Sequence, residues 1–203
     1  MTYPYLEAKE IDGIIRGITM SGHWDEHGWW IVDFADEKLK EIKPEKSLEK
    51  TRGMWLFKGY LLGKNGRYED ALKFSEEVLK INPMSEDAWW LKGASLGHLD
   101  RHEEAIMCFD KALKIDPNYA DAWCAKGITL RELGRYEEAI ECLVEAVKIY
   151  PRYVYAWCNR ALALWELGRY EEAVKCVNTA LNVNPEDEDV IRLRKNFLDK
   201  LSK

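Results

Sequence analysis

The chain has 203 residues, of which 47% are apolar and 33% charged, and its formal net charge is −6. The apolar content is too high for a disordered chain, and the longest apolar runs are a few residues, against roughly 18 needed to cross a bilayer. There is neither a signal-like N-terminus nor a concentrated basic stretch, so we expect a cytoplasmic protein that binds neither nucleic acid nor membrane.

Residues 1–51 precede the regular part of the chain and fit two interpretations. Residues 11–20 and 28–34 are rich in Ile, Val, Thr and Trp, which predicts a β-hairpin around a loop at 21–27, followed by a short helix over 36–42. A helix from Trp24 to Phe34 fits the same apolar run nearly as well. His23 and His27 are the weak candidates for a metal site, but they are equally ordinary in a surface loop, so we expect no metal and no other cofactor.

From Arg52 onward the sequence repeats every 34 residues. Each unit, counted from Arg52, has Trp at position 4, a small residue at position 8, Ala at position 20 and Pro at position 32. The recurring residues are Trp55, Trp89, Trp123 and Trp157; Gly59, Gly93, Gly127 and Ala161; Ala71, Ala105, Ala139 and Ala173; and Pro83, Pro117, Pro151 and Pro185. We expect the four periodic tryptophans to be buried in the core.

Every unit contains two helical patterns separated by a turn. In the third unit, apolar residues spaced three and four apart run to Leu130, and Gly134 then occupies the left-handed position at which a helix ends. A second amphipathic stretch, from Glu137 to Lys148, stops before Pro151, which cannot continue a helix. Gly66 and Gly168 hold the turn position in other units, whereas the second unit has Asp100 there.

Paired helices in a 34-residue unit with these shared residues resemble the tetratricopeptide repeat. The resemblance implies an all-α, right-handed helical-repeat solenoid with four units at 52–85, 86–119, 120–153 and 154–187. This chain departs from the family at position 7, where Lys or Arg replaces Leu, and at position 11, where Leu replaces Tyr. Residues 188–203 form one more amphipathic helix, which we predict to be a polar cap because Lys195 at position 8 would resist docking of another helix.

The resemblance also implies a concave groove, lined by the first helix of each unit, that binds a peptide or a partner helix. The expected groove residues are Phe57, Tyr60, Trp90, Leu91, Cys124, Ile128, Arg131, Tyr155, Cys158, Asn159, Leu162 and Trp165. The Lys, Asn and Arg residues with which some family members hold the C-terminal carboxylate of chaperone tails are absent from the corresponding positions. Trp90 and Trp165 break the period, so we predict them as contacts, with packing against the N-terminal segment as the alternative.

These features favour a non-catalytic interaction module, a scaffold or adaptor that is a monomer or a weak homo-oligomer. Residues 1–51 either cap the first unit, which we favour, or occupy the groove. A self-assembling structural protein and an enzyme with a small metal site in residues 1–51 are the alternatives. The five cysteines follow the repeat, and equivalent positions in neighbouring units lie roughly 8–10 Å apart, too far for a disulfide, so we expect reduced thiols.

Overall fold

The computed structural model describes residues 21–24, 30–33, 59, 61–63 and 65–202, and residues 59–202 of that set form a row of helices. The helices are α1 (Tyr68–Ile81), α2 (Glu86–His98), α3 (His102–Ile115), α4 (Ala120–Glu132), α5 (Tyr136–Ile149), α6 (Val154–Glu166), α7 (Tyr170–Val183) and α8 (Glu188–Leu201). Residues 59 and 61–63 are also helical. Equivalent helices begin 34 residues apart, and the predicted all-α solenoid is confirmed.

Two short strands precede the helices. Strand β1 (Ser21–Trp24) pairs antiparallel with β2 (Trp30–Asp33), and the Cα of Trp24 lies opposite that of Trp30. Strand β2 lies inside the predicted segment 28–34, but β1 lies in the stretch that we predicted as loop. Gly22 and His23 suggested a turn, although Trp24 next to them favours a strand. The predicted strand at 11–20 and the predicted helix at 36–42 lie outside the described residues.

Helix α5 illustrates how local chemistry sets the ends of a helix in this array. In α5 the buried residues Ala139, Leu143 and Ala146 lie on one face, two acids occupy the first turn, and Lys148 lies in the last turn, where its charge suits the helix dipole. The preceding turn depends on Gly134, which has a φ of +74°. Asp100 adopts the same left-handed conformation with a φ of +59°, so this departure from the repeat changes the residue and not the backbone.

The small residue at position 8 lets the two helices of a unit approach closely. A Cβ added to Gly93 would lie 2.6 Å from a ring carbon of Phe109, and one added to Gly127 would lie 2.7 Å from Cγ of Leu143. Phe109 and Leu143 both occupy position 24 of their units. In the fourth unit, where Ala161 replaces glycine, position 24 is the smaller Val177, and both residues are fully buried. In these three units the two positions therefore compensate each other in volume, whereas in the first unit both are small, Gly59 and Ser75, and Leu91 of the next unit lies beside Gly59.

The periodic tryptophans connect one unit to the next, and their burial differs from our expectation. The indole nitrogens of Trp89, Trp123 and Trp157 each donate a hydrogen bond of 2.9 Å to the carbonyl of the proline that ends the preceding unit. These three rings are half-buried at the edge of the core, because the indole N–H must reach the backbone of the turn. Trp55 lies outside the described residues.

The cations at position 7 have a structural role in the same junction. The Nζ atoms of Lys92 and Lys126 lie 2.9 Å from Glu76 and 2.6 Å from Asp110, which both occupy position 25 of the preceding unit. Lys126 Nζ also lies 5.8 Å from the centre of the Trp123 ring, within the range of a cation–π contact. Lys92 and Lys126 therefore add ion pairs between units. Arg160 does not, because position 25 of the preceding unit is Val144; its guanidinium lies 5.4 Å from the centre of the Trp157 ring, and its shielded Nε has no acceptor in the described chain.

The outer surface of helix α8 is mostly polar, but it also carries three exposed apolar side chains. Val190 and Phe197 are buried against the array, whereas Ile191, Leu198 and Leu201 are 42–47% exposed. Leu198 occupies position 11, where Leu96, Leu130 and Leu164 are at most 1% exposed because the second helix of their unit covers them. No described helix covers α8 in this way, so its apolar residues divide between a buried face and an exposed one.

The close approach at position 8 yields a stability prediction. Gly127→Ala should lower the free energy of unfolding by about 1–3 kcal/mol, because the new Cβ would meet a branched carbon of Leu143 and lie 3.1 Å from the carbonyl oxygen of Ala139. Gly97→Ala in α2 is the matched control, since its Cβ would have no neighbour closer than 3.8 Å. Urea denaturation followed by circular dichroism measures both; equal effects of the two substitutions would contradict the prediction.

Candidate partner-binding groove

The first helices of successive units form the inner layer of the stack. Helix α2 contacts α4 and α4 contacts α6, whereas the second helices α3, α5 and α7 show no comparable contact with one another in the described chain. In a curved stack the layer with the closer neighbours is the concave one. The groove is therefore the surface formed by the partly exposed side chains of α2, α4 and α6.

Seven of the predicted groove residues retain exposed surface on these helices. They are Trp90, Ile128, Arg131, Tyr155, Cys158, Leu162 and Trp165. Tyr155 is 55% exposed and the others are half-buried. Phe57 and Tyr60 lie outside the residues whose side chains the structure describes. The surface is thus mainly apolar, with one cation, Arg131.

Three other predicted groove residues are buried, which corrects their assignment to the surface. Leu91 is 7% exposed and fills the space beside Gly59, and Cys124 is 1% exposed in the core formed with Tyr153 and Ala156. Asn159 is 5% exposed, and its amide donates a 2.9 Å hydrogen bond to the carbonyl of Tyr155. The 34-residue period places these residues on the first helix of their units, but it does not specify how deeply each side chain is inserted.

Trp90 packs within the array as well as bordering the groove. Its ring lies against core residues of α1, α2 and α3, and its centre is 6.3 Å from that of Tyr119. The indole Nε1 is shielded from solvent and has no hydrogen-bond partner within the described chain. Only part of this ring is available to a partner.

Trp165 packs against the C-terminal helix. Its ring stacks on Phe197 of α8 with ring centres 4.0 Å apart and planes inclined by 12°, and it also touches Tyr170, at 4.6 Å between centres. Position 12 is Gly97 in the second unit and Arg131 in the third. It is the aromatic Trp165 in the fourth unit, which packs on α8. Trp165 is therefore explained by its contact with α8, which the 34-residue period does not predict.

Tyrosine–aspartate pairs rigidify the N-terminal ends of the groove helices. The hydroxyl of Tyr119 donates to Asp87 at 3.0 Å, and that of Tyr153 donates to Asp121 at 2.6 Å. Burial raises the pKa of Tyr153 well above its ordinary value, with the charges around it adding to the shift, so the hydroxyl remains a donor. Tyr at position 34 together with Asp at position 2 of the same unit is the sequence signal of this pair, and it occurs in the second and third units.

The fourth unit reverses this arrangement. It has Tyr155 at position 2 and Asp187 at position 34, and the Asp187 carboxylate accepts a hydrogen bond from the backbone N–H of Val190 at the start of α8. Asp187 thus serves as the helix N-cap. Tyr155 is largely exposed at the groove surface, unlike the buried Tyr153.

The cysteines offer little reactivity. All five are free, and four of them are buried. Burial raises the pKa of Cys124 to about 12 and that of Cys142 and Cys158 to about 11, so these thiols stay protonated at neutral pH. In the described part of the chain, no three His, Cys, Asp or Glu side chains are arranged to hold a metal ion. His23 lies in β1, and His27 is outside the described residues.

None of the described helices combines the length and the apolar content that a membrane span needs.

Three family models for the tetratricopeptide repeat match the chain, over residues 53–83, 85–152 and 124–188. The structure resembles pilF of Pseudomonas aeruginosa, with a TM-score of 0.70 and 24% identity over 76% of this chain and 70% of that one. It also resembles a thermophilic TPR protein of Thermus thermophilus, with a TM-score of 0.69 and 19% identity over 80% and 86% of the two chains.

A third similar structure is the first TPR of Spaghetti bound to an HSP90 peptide, with a TM-score of 0.56 and 21% identity over 58% of this chain and 94% of that one. No curated protein matches the sequence. At these levels of identity the likeness to solved structures concerns the fold.

The stacking of Trp165 on Phe197 generates a second prediction. Trp165→Ala should cost about 2–4 kcal/mol of unfolding free energy, because it leaves a cavity under α8. Tyr155→Ala, on the same helix but exposed, should cost less than about 1 kcal/mol. Hydrogen exchange should show selective loss of protection in α8 of the Trp165 variant. Unchanged exchange in α8 would show that this stack does not hold the C-terminal helix.

Proposed function

The chain belongs to the tetratricopeptide-repeat family, and from this premise we propose that its groove binds a peptide or a helix of a partner protein. The tetratricopeptide-repeat fold is a typical protein–protein interaction module. The observation that carries the proposal is the series of partly exposed apolar side chains on adjacent helices: Ile128 in α4, and Cys158 and Leu162 in α6. Apolar surface that is continuous over several helices commonly marks an interaction site.

The surface suits an amphipathic or extended apolar segment. Ile128 and Leu162 both occupy position 9 of neighbouring units, so side chains of a partner that crosses the helices can contact both. Exposed Tyr155 adds an aromatic ring with a hydroxyl, the kind of side chain that contributes strongly at interfaces. Trp90, Leu91 and Ala94 stand where a carboxylate clamp would have polar residues, so we propose a partner other than a chaperone tail of that kind.

We further propose that the protein is a scaffold or adaptor without catalytic activity. The family is generally a non-catalytic scaffold fold. The buried thiols, with their raised pKa values, are poor nucleophiles, which supports extending the family's property to this chain. Free cysteines are also in keeping with a reducing compartment, and we propose the cytoplasm.

The groove proposal predicts that a substitution on the concave face abolishes binding without unfolding the array. A random dodecapeptide library displayed on phage should yield peptides that bind the full chain. Ile128→Asp combined with Leu162→Asp should weaken their binding at least tenfold, because both carboxylates would be placed in the apolar surface. The control is Met107→Asp on α3, an exposed apolar residue of the second-helix layer, which should change binding less than twofold.

Binding is measured by fluorescence anisotropy, and circular dichroism checks that the variants fold. Peptides that bind the double variant as well as the original chain, or a library without enriched peptides, would refute binding at this surface.

Self-association through α8 is a second candidate function, favoured by the exposed apolar face of that helix. Ile191, Leu198 and Leu201 lie along it, with Glu188 and Asp189 at the start and Lys200 in the last turn. If α8 of a second copy packed antiparallel on this face, the acidic start of each helix would lie against the basic end of the other. Opposite charges would then flank the apolar contact.

Light scattering at two protein concentrations tests this candidate. Self-association predicts a mass that rises with concentration, and Leu198→Lys should return it to that of a monomer because the charge enters the apolar contact. Met107→Lys, at a more exposed apolar residue outside α8, should leave the association intact. A monomer mass at both concentrations would eliminate this candidate.

A further inference from the structure

Arg131 is a cation of the groove whose charge the described chain leaves unpaired. It lies in the last turn of α4, its Nε atom is shielded from solvent, and no described residue accepts a hydrogen bond from that atom. No ion pair with Arg131 is found among the described side chains either. A shielded donor without an acceptor is costly, so this position is unfavourable for the isolated chain.

Other arginines of the array show what such a group can bind. Arg101 and Arg169 each use Nε and one terminal nitrogen to make two hydrogen bonds, of 2.7 Å, to the two carboxylate oxygens of Glu104 and Glu172. Arg135 binds Glu138 in the same two-point geometry. In Arg131 the same Nε edge has no carboxylate, although its immediate neighbour in sequence is Glu132.

The carboxylate of Glu132 is directed elsewhere. One of its oxygens lies 3.8 Å from Nδ1 of His102, at the start of α3 in the preceding unit. Position 12 is otherwise Gly63, Gly97 and Trp165, so the repeat itself does not require an arginine there. Arg131 is therefore explained neither by the repeat nor by an internal ion pair.

The neighbours of Arg131 indicate where a ligand would lie. Ile128 is one turn earlier on α4. Tyr155 of α6 is close enough for the positive charge of Arg131 to act on its phenol: partial burial of this half-exposed ring raises the pKa of Tyr155, and Arg131 is among the groups that oppose the shift. The guanidinium thus borders the apolar surface of α4 and α6. A carboxylate near apolar side chains could contact both.

We propose that the groove selects a partner segment in which an Asp or Glu side chain binds Arg131 while flanking apolar residues pack on Ile128 and Leu162. This inference rests on the proposed function and names the chemistry of the partner. The exposed carboxylates of Glu132 and Glu166, at position 13 of their units, add negative charge to the C-terminal ends of α4 and α6. They disfavour further acids in the partner, so one carboxylate in a fixed register is selected over a generally acidic segment.

The test is a selection from the displayed dodecapeptide library, whose C-termini are fused to the coat protein so that only side chains supply carboxylates. It is run on the full chain, on Arg131→Met, on Arg131→Lys and on Arg135→Met, which removes an arginine already paired with Glu138. Peptides selected on the original chain and on Arg135→Met should share one acidic position between apolar residues. Peptides selected on Arg131→Met should lack the shared acidic position, and peptides selected on Arg131→Lys should show it less strongly.

A synthetic, C-terminally amidated peptide and its Glu→Gln or Asp→Asn counterpart complete the test. The neutral peptide should bind the original chain at least tenfold more weakly than the acidic peptide does. The affinities of the two peptides for Arg131→Met should differ less than twofold. Selected peptides without a shared acid, or an acid that persists on Arg131→Met, would overturn the proposal while leaving the groove function in place. If the selected peptides bind the variant with both Ile128→Asp and Leu162→Asp as tightly as they bind the original chain, the proposed function and this inference are both overturned.

Discussion

The whole array depends on how closely the two helices of each unit approach at position 8. Gly93 and Gly127 leave no room for a Cβ beside Phe109 and Leu143, so each pair packs with the backbone of its first helix nearly in contact with side chains of the second. Close pairs of this kind bury the apolar face of both helices. This burial stabilises them, because neither helix is stable alone at this length. The tryptophan–proline hydrogen bond then fixes each pair on the one before it.

This packing determines which residues remain available for a partner. Positions 4, 8 and 11 of the first helix are used within the array, so position 9 and parts of positions 5 and 12 are left at the concave surface. In α8, Lys195 at position 8 replaces the small residue that the close pairing requires, and Leu198 at position 11 is exposed. The same constraint therefore explains the groove of the internal units and the second apolar surface at the C-terminal helix.

Residues that recur every 34 positions were predictable, because periodicity reports the contacts that every unit makes. The helix pairs and the left-handed turns at Gly66, Gly134 and Gly168 follow from it. The depth of individual side chains did not follow: Cys124 is buried whereas Cys158, at the same position, is half-buried. Nor did the stack of Trp165 on Phe197, because a contact between two non-periodic residues leaves no signal in the period. The tryptophans of position 4 lie at the edge of the core and not inside it, because each described indole N–H needs an acceptor and finds it at the turn before its helix.

Departures from the repeat separate into those that the fold accounts for and those that it does not. Asp100 keeps the turn, Lys92 and Lys126 gain carboxylate partners at position 25, Asp187 caps α8, and Trp165 supports it. Arg131 and Arg160 both have a shielded Nε without an acceptor in the described chain. Arg160 lies 5.4 Å from the centre of the Trp157 ring, whereas no cation–π contact of Arg131 is found among the described residues, and nothing at position 12 of the other units calls for a cation. A partly buried charge is costly unless it is paired, and this cost is the reason for proposing a carboxylate of a partner as the counter-charge of Arg131. In the proposed complex, the apolar groove supplies most of the affinity for the partner. The unpaired guanidinium of Arg131 fixes the position at which the partner lies along the groove.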